Sequence, residues 1–89
     1  MTKVLIVDDM EGVRRMLTYA LEDDYNIAIA ANGLEAIRVA ALEHPDVIVM
    51  DVNMPKMDGI SFLRRVMTFF PTPTVILSSL ARSGERVVV

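Results

Sequence analysis

Four short aliphatic runs, separated by stretches of helical periodicity, constrain this chain more than any other feature. Val4-Leu5-Ile6-Val7 stops at Asp8-Asp9, Val47-Ile48-Val49-Met50 stops at Asp51, and Thr74-Val75-Ile76-Leu77 stops at Ser78-Ser79; Ile27-Ala28-Ile29-Ala30 is a weaker run closed by Asn32-Gly33. Each is long enough for a strand buried on both faces and too short for a buried helix. Between the first two runs, Val13, Met16, Leu17, Ala20 and Leu21 fall on one helical face. Ala36, Ile37, Ala40 and Ala41 form a second stripe whose small side chains permit close packing on a sheet, and Pro45 closes it. A third helix is expected from Ile60, Leu63, Val66, Met67 and Phe70, with Pro55 and Gly59 bracketing the loop before it, Asp58 as its N-cap, and Pro71 and Pro73 ending it. Strands alternating with helices predict an α/β domain built on a parallel sheet covered on both faces, with right-handed crossovers.

Composition narrows the class. The 89 residues suffice for one small domain with no linker, and 53% of them are hydrophobic. There is no cysteine, which excludes a disulfide framework and thiolate metal sites. The apolar runs are too short to insert in a membrane, and Asp8 breaks the first of them at once, so no signal peptide is read and a cytoplasmic location is expected. A net charge of −3 argues against direct binding of nucleic acid.

In an open parallel sheet the working site lies beyond the carboxyl ends of the strands. Asp8, Asp9, Asp51, Ser78 and Ser79 all fall there. Two unit charges 4 Å apart repel by roughly 4 kcal/mol at an effective dielectric of 20, so crowded carboxylates favour uptake of a proton or a cation. Hard oxygen ligands suit Mg²⁺, which also accepts phosphate oxygens. Asp51, at the end of a central strand, is placed to accept a phosphoryl group as an aspartyl phosphate, and Ser78 to offer a hydroxyl. The same residue types have plainer uses: Asp8 and Asp9 as helix caps, Asn53 as a turn former, Ser78 as a loop cap, and Arg14-Arg15 and Arg64-Arg65 as solvated helix faces. His44, one residue before Pro45, lies far from the site in this topology. An aspartate-nucleophile phosphohydrolase needs a second acid two residues after the first, and Asn53 stands there instead.

Val7-Asp8-Asp9, Met50-Asp51-Val52-Asn53-Met54-Pro55 with Met57-Asp58-Gly59, and Leu77-Ser78-Ser79 together resemble the receiver domains of two-component response regulators. The stretch from Asp51 through Phe62-Leu63 to Pro73 and Ser78-Ser79-Leu80 is most similar to the receiver of chemotaxis methylesterases. The resemblance implies a flavodoxin-like sheet and a regulatory module rather than an enzyme. It further implies that Asp51 takes phosphate from a sensor histidine kinase, and that Asp8 or Asp9 with Asp51 and the backbone carbonyl of Asn53 ligates Mg²⁺. Ser78 matches the switch hydroxyl, and Ser79 and Lys56 flank the site. The output domain or motor target is not implied by these residues.

The chain departs from the family pattern at its end. Residues 1–89 correspond to a receiver truncated inside its fourth helix, so the expected parallel order is 2-1-3-4, with the fifth strand, the fifth helix and the lysine after strand five missing. Neither Lys3 nor Lys56 replaces that lysine. Strand four is then expected to be an open apolar edge, inviting a second copy or a completing partner. An alternative function follows, a phosphorylation-impaired structural fragment that self-associates through that edge. Residues 86–89, Arg-Val-Val-Val, have β propensity after a possible turn at Ser83-Gly84, while the resemblance places them in a helix; the expectation adopted is the helix.

Overall fold

The computed structural model describes residues 1–51, 64, 65, 67, 68, 72–80 and 85–88, with 76–80 and 85–88 described by their backbone. In chain order the elements are β1 (Lys3–Val7), α1 (Glu11–Leu21), β2 (Asn26–Ala30), α2 (Gly33–Glu43), β3 (Val47–Asp51), β4 (Thr74–Leu80) and β5 (Glu85–Val88). The sheet runs β2-β1-β3-β4-β5. The first four strands are parallel in the expected 2-1-3-4 order. The fold is flavodoxin-like.

Pairing of β1 with both β2 and β3 makes it an interior strand, and Val4, Leu5, Ile6 and Val7 are all buried. Because side chains alternate across a strand, the run feeds both faces. Leu5 and Val7 join Ala30, Ile48, Met50 and the α2 residues Ala36 and Ala40 in one cluster. Those two alanines let α2 lie close on the sheet, as their size predicts. Fully burying an aliphatic side chain contributes about 1.5–3 kcal/mol, so this face dominates the stability. The other face is thinner. No residue of α1 is buried; Val13, Leu17 and Leu21 are half-covered, and Met16 and Ala20 are exposed.

Two expectations about the chain's end are corrected. Residues 85–88 form a strand, not a helix, and it pairs antiparallel with β4 from Leu77↔Val88 to Leu80↔Glu85. Strand four accordingly extends to Leu80 instead of stopping at Ser78-Ser79, and its edge is covered rather than open. The physical reason is local. Val87 and Val88 are β-branched and favour a pleated conformation, and an adjacent strand offers them the main-chain partners that a four-residue helix cannot supply for itself. The proposed route to self-association through a bare β4 edge loses its basis.

Helix boundaries show what sequence patterns miss. Asn32, read as a turn residue, caps α2: its Oδ1 accepts from the Glu35 amide at 2.9 Å, and Glu35 Oε1 accepts from the Ala31 amide at 3.4 Å. This is close to a capping box, and the Asn-x-x-Glu spacing was the available signal. α2 ends before Pro45 as expected, but through a left-handed His44 at φ 49°, ψ 61°, not an extended one. His44 donates its amide to the Ala40 carbonyl at 3.1 Å, which closes the helix. Of the third helix, Arg64, Arg65, Met67 and Thr68 are helical, with the Thr68 hydroxyl donating to the Arg64 carbonyl; Asp58, Ile60, Leu63, Val66 and Phe70 lie outside the described residues.

The left-handed conformation at His44 costs a residue with a Cβ about 1–2 kcal/mol that glycine does not pay. His44→Gly is therefore expected to stabilise the fold by about 0.5–1 kcal/mol. Chemical denaturation followed by circular dichroism checks this; a lower midpoint would contradict it.

Candidate functional site

The register of the central strands decides what meets what. Val7 pairs with Met50 across β1 and β3, so the next residues along each strand, Asp8 and Asp51, stand side by side at the carboxyl ends of neighbouring parallel strands. Adjacent strands lie about 4.8 Å apart. Both carboxylates are buried, Asp8 at 1% and Asp51 at 5% exposure. They occupy the switch point of the sheet, where β2 lies to one side of β1 and β3 to the other, the position at which ligands enter open α/β sheets.

The loop after β1 is tied down around Asp8. Its amide donates to the Ala30 carbonyl at 3.1 Å, which extends the β1–β2 ladder by one step. Its Oδ1 accepts from the Met10 amide at 2.9 Å. From the second turn of α1, Arg14 Nη1 donates to the main-chain oxygen of Asp8 at 2.8 Å. Neither Asp8 nor Asp9 caps α1: the N-cap is Met10, without a side-chain hydrogen bond. Arg14, expected only as part of a solvated face, thus braces the acidic loop. A long cationic side chain one turn into the helix after the strand end was the only hint of this.

The other expected site residues fall as follows. Asp9 is exposed, at a bend beside Asp8. Ser78 follows Leu77, which pairs with Asp51, so its backbone stands one residue beyond Asp51's neighbour in β4; Ser79 follows it in the same strand. Asn53 and Lys56 lie outside the described residues. Lys3 is at the opposite end of β1, about 16 Å of extended chain away, where its Nζ contacts Glu43 at 3.6 Å. His44 also lies away from the acidic end, after α2.

Among the described residues, no group of three or more acidic or histidine side chains is gathered tightly enough to enclose a metal ion. A cation here would rest on Asp8 and Asp51, two buried hard-oxygen donors at adjacent strand ends. That donor set fits Mg²⁺, which needs only one or two carboxylates and keeps several waters.

Comparison with known proteins identifies the family. Residues 4–89 match the response regulator receiver domain. The chain belongs to the response regulator receiver family. It is 48% identical over 90 residues to a protein-glutamate methylesterase/protein-glutamine glutaminase of Pseudomonas syringae pv. syringae, covering 98% of this chain and 23% of that protein. It spans about a quarter of the length of the curated relatives it matches. Among solved structures, chemotaxis protein CheY4 of Vibrio cholerae superposes with a TM-score of 0.84 at 40% identity, over 89% of this chain and 69% of that one. The response regulator TrrA of Thermotoga maritima, solved in complex with Mg²⁺ and BeF, gives a TM-score of 0.84 at 26% identity, over 92% of this chain and 73% of that one. The receiver of a two-component regulator, of the kind found in chemotaxis proteins, is a regulatory module. Among the described residues, no helix is long and apolar enough to cross a membrane.

A cation resting on Asp8 and Asp51 would bind the folded chain and not the unfolded one, and would stabilise it by mass action. Asp51→Asn, which removes one of the two buried carboxylates, is expected to abolish stabilisation by added Mg²⁺. Denaturant titrations with and without Mg²⁺ test this.

Proposed function

We propose that this chain is the phosphoacceptor module of a two-component phosphorelay, with Asp51 receiving the phosphoryl group of a sensor histidine kinase in a Mg²⁺-dependent reaction. The observation that carries the reading is the burial of Asp8 and Asp51 side by side at the switch point of the sheet.

In the transfer, a carboxylate oxygen of Asp51 attacks the phosphorus of the kinase phosphohistidine. A P–O bond forms as the P–N bond breaks, and the imidazole departs with the electron pair and takes a proton. Catalysis of this kind is mainly positioning and charge neutralisation. Mg²⁺, when bound, supplies neutralisation of the phosphoryl oxygens. Asp8 and Asp51 would hold that ion, with Asp9 beside them; the family pattern implies the Asn53 carbonyl as the further ligand. The Met10 amide and the Arg14 guanidinium keep the Asp8 loop in place while charge enters the site. The family pattern implies that the Ser78 hydroxyl would meet the incoming phosphoryl group, and that Ser79 and Lys56 flank the site. The Thermotoga maritima regulator, whose fold superposes on this one and which was solved with Mg²⁺ and BeF bound, supports this reading.

Residues 1–89 act as one receiver unit in the cytoplasm, and the chain is a signalling module rather than a catalyst. The names of its relatives make a methylesterase/glutaminase output the candidate for a longer protein containing it.

Incubation with Mg²⁺ and acetyl phosphate, read by intact mass, tests the assignment. One phosphoryl adduct that is lost in Asp51→Asn and without Mg²⁺ is expected. An unmodified chain would favour the idle structural fragment instead, and steady turnover of a phosphomonoester would favour a hydrolase.

A further inference from the structure

The outer edge of β2 lies at one end of the sheet, paired only with β1. Its sequence, Asn-Ile-Ala-Ile-Ala, carries no charge and no proline, the usual devices by which an exposed edge discourages pairing. The opposite edge strand, β5, begins with Glu85 and Arg86. Ile29 is 49% exposed, and it shares a groove of about 350 Å³ with Arg14, Arg15, Thr18, Tyr19 and Glu22 of α1. We propose that this edge, with α1 beside it, is the surface through which two copies of the chain associate.

The backbone fixes the register. Asn26 donates its amide to Thr2, and Ala30 offers its carbonyl to Asp8, so residues 26 and 30 turn their main-chain groups toward β1. Alternation along the strand turns those of Ile27 and Ile29 outward. An antiparallel pairing centred on Ala28 sets Ile27 opposite Ile29 of a second copy, and Ile29 opposite Ile27, each with outward-facing amide and carbonyl. These are the positions that exchange two hydrogen bonds in an antiparallel ladder. The contact is isologous and closes as a dimer with two-fold symmetry. It also covers the exposed Ile29.

The helices fit the same operator. α1 rests on β1 and β2 alike. With strands about 4.8 Å apart, each helix then lies roughly one strand spacing from the two-fold axis. The two copies of α1 run antiparallel about 10 Å apart, an ordinary helix packing distance. Their charges are self-complementary: inverted about Thr18 and Tyr19, the exposed Arg15 of one copy faces the exposed Glu22 of the other, twice over. Tyr19, 81% exposed, is the aromatic side chain available to fill the groove of the opposite copy. A second copy is favoured over an unrelated partner because backbone parity and charge are both satisfied by inversion.

Sedimentation equilibrium of the 89-residue chain over a wide concentration series tests this. The wild type is expected to show a monomer–dimer equilibrium. Ile29→Lys, and Ile29→Pro, which removes an amide the monomer sheet does not use, are each expected to raise the dissociation constant tenfold or more. Arg15→Glu and Glu22→Arg should each weaken the dimer and, combined, restore it, which a folding defect cannot do. A wild type that remains monomeric throughout, or association that persists unchanged in Ile29→Lys, overturns the proposal.

Discussion

Parallel pairing of β1 with β3 is the constraint on which the rest depends. It begins with a reciprocal contact, in which the Lys3 amide donates to Asp46 Oδ2 and the Asp46 amide to the Lys3 carbonyl, both at 2.8 Å. It then proceeds in step from Val4↔Val47 to Val7↔Met50. A slip of one residue would reverse which side chains face α2 and would separate Asp8 from Asp51. The ladder that packs Leu5, Val7, Ile48 and Met50 into one core therefore also aligns the two carboxylates. Stability and chemistry share one register.

The sheet's two faces are unequal. Against α2, small helix residues and interleaved aliphatics leave little room. Against α1, coverage is partial, and one polar tie adds to the packing, Arg14 to the Asp8 carbonyl; the Arg15–Glu11 pair at 3.3 Å lies within the helix itself. A surface pair of the second kind contributes little. The Arg14 contact matters more, because it joins the helix to the loop that carries the acidic site.

Much of this was legible in the chain. Continuous aliphatic runs correspond to strands of the sheet, and the aspartates that stop two of them stand buried side by side at adjacent strand ends, as parallel pairing implies. The receiver motifs at Asp8-Asp9 and Asp51 pointed to the family that the comparisons then established. What stayed hidden has physical causes. The Asn32 cap and the left-handed His44 depend on single backbone angles that periodicity does not encode. Arg14 looked like any solvated arginine because its partner is a main-chain oxygen, which has no sequence signature. At residues 85–88 the family pattern implies a helix and local propensity a strand, and the strand forms because β4 offers a neighbour to pair with.

The connection between β1 and β3 also governs how the molecule is assembled. The β4–β5 hairpin is local and closes a short loop, whereas Lys3 and Asp46 are 43 residues apart. Contacts so distant along the chain carry a larger loop-closure cost than the hairpin does. The hairpin can appear early without the acidic pair. The pair itself comes into being only when the longest-range ladder closes, so a chain lacking that ladder does not bring Asp8 and Asp51 together.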